Sequence, residues 1–423
     1  MLSTLAPGSN RYFSSKWRLP ASKSLPPRFE IPAEFQDKVR YVEPLDSRSD
    51  DEILKVLESP PPVTSEKNIW AFWHAGLHQM PAWCQRNVID WSRICGPSWT
   101  IRVLDVVSDS PSNAMNWVKE EDLPKAFTTN TMDGPLGYTG PHSADFLRGI
   151  CLYQYGGVWM DVGSILFRSI DDLCWNKLED PNTPYQVSAP WMYSRGVANH
   201  FIASRKGDPF IKHWHNLFMT LWKDRTSAEG LYTHPLMAHA KDIDMVEFDA
   251  RGFAWNWEIP IPQVLEYVAQ IMCWMRISVL QEPNGGFDGA EYYGTKVLLF
   301  DALWETWPAE ALIGWNGEEL FDLLNTKLDA DPESEAYKKA YKTVWYLMTS
   351  STMQKVTRAG GMTSTKALGA LWDMKENEDK DRETGTFAEL MRYGSVHFRH
   401  NQEPKYVPAK DPGNIIRKRV LEP

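Results

Sequence analysis

Apolar residues along this chain fall into short continuous runs and longer periodic stretches. Residues 69–73 (Ile-Trp-Ala-Phe-Trp) and 100–104 (Thr-Ile-Arg-Val-Leu) have the pattern of strands buried on both faces. Between them, Cys84, Val88, Trp91 and Cys95 recur at the spacing of one buried helix face, and Pro81 suits the first turn of that helix. Strand, helix and strand in this order predict a parallel pair joined by a crossover. After residue 222 the periodicity is mainly helical, with helices expected over 264–280, 293–305, 318–324 and 334–348. Residues 1–67 are rich in Pro, Ser and charge and read as an extended or disordered arm with one short helix at 51–57. The expected division is that arm, an α/β core at 68–255, and a helical region at 256–423.

The densest pattern lies at 142–163, HSADFLRGICLYQYGGVWMDVG. It reads as a helix, a double-glycine turn and a buried strand ending on a carboxylate. Asp145 and Arg148 are three residues apart and share a helix face, with Leu147, Ile150, Cys151 and Gln154 on the neighbouring stripe. Gly156 and Gly157 suit a helix end and leave room for a ligand at the backbone. Val158-Trp159-Met160 then carry Asp161 to the C-terminal end of a strand, where open α/β sheets bind nucleotides. A structural reading stands beside each candidate. The Asp145–Arg148 pair could be a surface ion pair, Asp161 could cap a turn, and the glycines could be a helix cap alone.

Composition narrows the partners. The chain has 423 residues, 43% hydrophobic and 24% charged, with a net charge of −10, which argues against nucleic acid as the main partner. No apolar stretch is long enough for a transmembrane segment. The five cysteines are scattered, without CxxC spacing, as in reduced buried thiols. A soluble cytoplasmic protein is expected, with mitochondrial targeting left open by a basic, Ser-rich start up to Arg28. Most of the 20 tryptophans are expected to be core filler.

The segment Ala144, Asp145, Arg148, Tyr155, Gly156, Gly157, Trp159, Asp161 resembles the capsular polysaccharide synthesis group and the related DXD-motif glycosyltransferases. Two flanking stretches share that resemblance: NIWAFWHAG at 68–76 followed by Pro81-Ala82-Trp83, and ANHFIASRKGDPF at 198–210. The resemblance implies a GT-A, Rossmann-like α/β fold with a mixed, mostly parallel sheet flanked by helices. It also implies retaining, metal-assisted transfer of a hexose from a UDP- or GDP-sugar to an acceptor hydroxyl. Asp145, Arg148 and Asp161 are then the catalytic candidates, and Trp70, Trp73, Ala144, Gly156, Gly157, Gly163 and Asn199 the donor-binding ones. Asp161 would hold Mn²⁺ or Mg²⁺, with His397 as a candidate further ligand and His400, His234 and His239 competing. Many relatives carry a second carboxylate two positions after the first, whereas this chain has Asp161-Val162-Gly163. The alternative reading is therefore a GT-A scaffold that binds a nucleotide sugar or glycan without turning it over.

Overall fold

The computed structural model describes residues 27–132, 138–193, 195–242 and 257–423. The basic start of the chain lies outside these residues, as does most of the Gly/Pro-rich loop before the signature helix. A short strand β1 (Val39–Tyr41) and helix α1 (Asp50–Glu58) come first. Ser49 and Glu52 close a reciprocal capping box at the start of α1, satisfying two backbone donors that would otherwise lack partners. The N-terminal region is thus more structured than its composition suggests.

The strand-helix-strand unit forms as its pattern dictates: β2 (Asn68–Phe72), α2 (Ala82–Cys95) and β3 (Thr100–Leu104), with β2 and β3 parallel and in register from Asn68 against Thr100. The signature helix α3 (Thr139–Tyr155) leads into β4 (Gly157–Met160), which pairs parallel with β2 on its other side. Next come β5 (Ser164–Leu166), β6 (Val187–Tyr193), β7 (Gly196–Val197), β8 (Phe201–Ser204) and helix α4 (Pro209–Leu221). Beyond residue 256 lie α5 (Ile261–Tyr267), α6 (Ala269–Ile277), β9 (Val297–Asp301), β10 (Met353–Lys355), β11 (Phe398–His400) and β12 (Tyr406–Val407).

The main sheet runs β12-β9-β6-β8-β4-β2-β3, with β7 paired to β6. The pairings give β3, β2, β4, β6 and β9 one direction and β8, β7 and β12 the other, so the sheet is mixed and mainly parallel. Side chains of β2 and β4 alternate between two cores. Ile69, Ala71, Val158 and Met160 face one layer with α2, while Trp70 and Trp159 face the other with α3, α4 and α6.

Two expected helices differ. Residues 293–305 are not one helix: a helical segment ends at Lys296, and Val297–Asp301 enter the sheet as β9, parallel to β6. The continuous apolar run Val297-Leu298-Leu299-Phe300 fits a strand as well as a helix, and tertiary pairing decides. The stretch 264–280 divides at Val268 into α5 and α6. The boundary drawn at 255/256 falls within undescribed residues, and the sheet continues beyond it through β9 and β12. Among the described residues no helix is long and apolar enough to cross a membrane. All five cysteines are free and buried.

Candidate active site

β2, β4 and β6 end at the same edge of the sheet, and the residues preceding the antiparallel β8 arrive there too. That edge opens into a cavity of about 570 Å³, lined by Trp73, Ala144, Asp145, Arg148, Asp161, Gly163 and Asn199, among others. Seven of the residues singled out in the sequence therefore meet at one place.

They are bound into a single polar network. Arg148 Nη1 donates to Asp145 Oδ1 and to Gln270 Oε1, and its Nη2 reaches Asp161 Oδ1 at 3.3 Å. The Asn199 amide donates to Asp145 Oδ1 at 3.1 Å and to Gln270 Oε1 at 2.9 Å. Gln270 in turn donates to the Asp145 carbonyl, which fixes helix α6 to helix α3. Asp161 also accepts from Trp159 Nε1 at 3.1 Å and from Lys355 Nζ at 2.9 Å. The Arg148 guanidinium lies 5.2 Å from the centre of the Trp159 ring. Burial works against ionisation of Asp161, but the positive charges of Lys355 and Arg148 outweigh it and hold the carboxyl well below its ordinary range. Burial, with Lys355 beside it, pushes the His200 imidazole down to about 3, so it stays neutral.

Lys355 and Gln270 were not legible as site residues, since each lies more than a hundred positions from the signature. β10 pairs antiparallel with β5 so that Lys355 opposes Ser164, three residues after Asp161. The Val356 amide then donates to the Gly163 carbonyl at 2.8 Å. Gly163 is packed against Thr357: a Cβ there would come within 2.2 Å of Thr357 Oγ1 and 2.6 Å of Thr357 Cγ2.

Four expected contacts lie elsewhere. Trp70 is fully buried beneath the sheet, its indole donating to the Gly156 carbonyl at 3.0 Å and packing against Tyr155 and Trp117. Gly156 and Gly157 stand at the entry of β4, at the end opposite Asp161, with φ of 72° and 102°. Their small size serves the backbone. A Cβ on Gly157 would fall 2.3 Å from the Asn68 carbonyl oxygen, so the double glycine lets β4 seat against the neighbouring chain. His397 stacks on Tyr41 and Tyr393 and contacts the Val42 carbonyl at 3.2 Å, outside the cavity lining. Asp171 and Asp172 stand in the first turn of a short helical segment, Asp171–Trp175, and pair there with Lys67 and Arg399, away from the cavity.

The fit of a divalent metal follows from the donors. Both Asp161 oxygens already receive hydrogen-bond donors, two of them cationic. Among the described residues no group of three or more His, Cys, Asp or Glu side chains converges to hold an ion. Position 163 is a glycine packed against Thr357 and supplies no second acid. On their own the described residues offer Mn²⁺ or Mg²⁺ at most the Asp161 carboxylate, and the rest of its shell would have to come from phosphate and water.

A family described as capsular polysaccharide synthesis protein matches residues 27–244. The chain is similar to "Probable glycosyltransferase FCK3" of Fusarium pseudograminearum, 49% identical over 93% of this chain and 99% of that relative. It is also similar to "O-glycosyltransferase braB" of Annulohypoxylon truncatum (40% identical, 90% of this chain, 91% of the relative). "Glycosyltransferase afumC" of Aspergillus fumigatus is 39% identical over 88% of this chain and 95% of its own. Among solved structures, a chain named "PaToxG Glycosyltransferase" aligns over 53% of this chain and 95% of its own, at 14% identity and a TM-score of 0.26 that carries no weight for the fold. With its signature residues gathered at one sheet edge and these relatives spanning nearly its whole length, the chain belongs to the capsular polysaccharide synthesis protein family and is a glycosyltransferase.

Proposed function

We propose that the chain transfers a hexose from a nucleoside-diphosphate sugar, of the UDP or GDP type, to a hydroxyl group on an apolar acceptor, with a GT-A arrangement of donor and sheet. The observation that carries this reading is the two-sided character of the cavity. One part is the Asp145–Arg148–Asp161 network. The remaining wall is largely aromatic and aliphatic, with Trp83, Trp257, Tyr267, Ile271, Trp307 and Met362 contributing. Its volume suits a small molecule. Two of the relatives at 34–40% identity are named O-glycosyltransferases, in keeping with a hydroxyl acceptor.

In this reading the donor sugar's hydroxyls meet Asp145 and Asn199, which the Arg148 and Gln270 contacts hold in fixed rotamers. Both carboxylates at the site are engaged by cations or amides, which makes them acceptors of hydrogen bonds and poor covalent nucleophiles. That supports a front-face displacement with retention. The acceptor oxygen bonds to the anomeric carbon as the carbon–phosphate-oxygen bond breaks, and the departing phosphate takes the acceptor's proton.

The test is incubation with UDP- and GDP-hexoses and a panel of rigid alicyclic and aromatic alcohols beside polar sugars, with products followed by mass spectrometry and anomeric configuration by NMR. Transfer to the apolar alcohols with retained configuration is expected. Donor hydrolysis alone, donor binding without turnover, or transfer confined to polar sugars overturns the reading.

A further inference from the structure

We infer that Lys355 and Arg358, delivered by β10 and the segment after it, are the cations that receive the donor's diphosphate, in the place where a metal-dependent enzyme would hold its ion. The inference rests on the nucleotide-sugar reading above and deepens it.

Four observations support it. First, Lys355 is nearly buried, yet it lines the cavity beside Asp161. Its ammonium has two protein partners, Asp161 Oδ2 at 2.9 Å and Thr357 Oγ1 at 2.7 Å, which leaves one of its three donors unused among the described residues. Second, Arg358 lines the same cavity, and no carboxylate pairs with it among the described residues. Its Nε donates to Thr363 Oγ1 at 2.9 Å, and its Nη2 to the Trp315 and Thr365 carbonyls at 2.8 Å each. Those bonds and the Trp315 ring 5.3 Å away orient the guanidinium; Glu310 acts on its charge through space without a direct ion pair, and Nη1 has no protein partner among the described residues. Third, the segment is locked in place: β10 is laddered to β5, Val356 bonds to Gly163, and Gly369 donates to the Val356 carbonyl at 2.8 Å. Fourth, Thr357 packs directly on Gly163, so that a side chain at 163 would require Thr357 to move. The segment that packs on Gly163 is the one that carries both cations into the cavity lining.

The chemistry matches the need. As the glycosidic bond breaks, negative charge grows on the diphosphate, and fixed cations that require no reorganisation stabilise it. Asp161, tied to both Lys355 and Arg148, holds the first cation in position without fully cancelling the pair.

The test is calorimetric binding of UDP, GDP, UMP and GMP to the full-length chain in EDTA, with the Lys355→Met, Arg358→Met and Lys355→Arg variants alongside. Wild type is expected to bind one diphosphate about tenfold or more tighter than its monophosphate. Each methionine variant should lose most of that preference, and Lys355→Arg should keep part of it. Circular dichroism and melting confirm that each variant is folded. Arg358→Met, which breaks no ion pair among the described residues, carries the test if Lys355→Met does not fold. A diphosphate preference that appears only after Mn²⁺ or Mg²⁺ is added, or that survives both methionine variants, overturns the inference and leaves the nucleotide-sugar reading standing. Equal binding of mono- and diphosphates does the same. Failure of every nucleotide to bind removes that reading and this one together.

Discussion

Asp161 is held by donors from three parts of the chain: Arg148 on α3, Trp159 on β4 and Lys355 on β10. Asp161→Asn keeps the shape but leaves two cations facing a neutral amide. We expect transfer to fall by about 10² or more, with stability lowered by a few kcal/mol at most, because the site is partly open to water. Steady-state rates and urea titrations check both. Gln270→Ala should cost about 1–3 kcal/mol, because the Arg148 guanidinium and the Asn199 amide each lose a buried acceptor. It should raise KM for the donor if Asp145 and Asn199 read the sugar. The catalytic candidates were legible because Asp145, Arg148 and Asp161 lie within one motif whose helix and strand periodicities place them together. Gln270 and Lys355 were not, because single polar residues in a helix and a short strand have no local pattern to mark them. Only the fold brings them alongside.

At the level of elements, the double glycine shows how a correct structural unit can carry a wrong functional role. The helix end and strand start lie where the pattern puts them, but the glycines serve strand seating rather than ligand approach. Gly157→Ala must adopt a φ of 102° and press a methyl group into the Asn68 carbonyl. We expect a loss of about 2–4 kcal/mol in denaturant titrations. Nucleotide affinity of the folded fraction should stay unchanged, since Gly157 is absent from the cavity wall. The strand Val297–Asp301 was hidden for a different reason. A short apolar run flanked by helical sequence has no periodicity that separates strand from helix, and pairing with β6 settles it.

For the whole molecule, burying uncharged groups beside the charged network sets a pH dependence. His200 titrates near 6.5 in the unfolded chain and near 3 when folded, because of burial and then the adjacent Lys355. Between those values the unfolded chain binds the extra proton, so this contribution to stability is complete above pH 6.5 and is lost as pH falls. Urea midpoints should therefore drop on acidification from above pH 6.5 to about pH 5, and His200→Asn should reduce that slope. Glu310 acts in the opposite sense. Burial raises its carboxyl to about 7, partly offset by the Gln354 amide, so its contribution is present below 4.5 and is lost as pH rises through about 7. Glu310→Gln should flatten that loss.

The ladder between β10 and β5 also gives the protein a timetable. A nascent chain emerges with its acids first and acquires Lys355 only after a further 194 residues have been added. Until then Asp161 lacks one of its two counter-charges, and the groove lacks a cation that we propose receives the donor's diphosphate. A chain cut before that strand would carry the family signature in full and lack the lysine that answers its last acid.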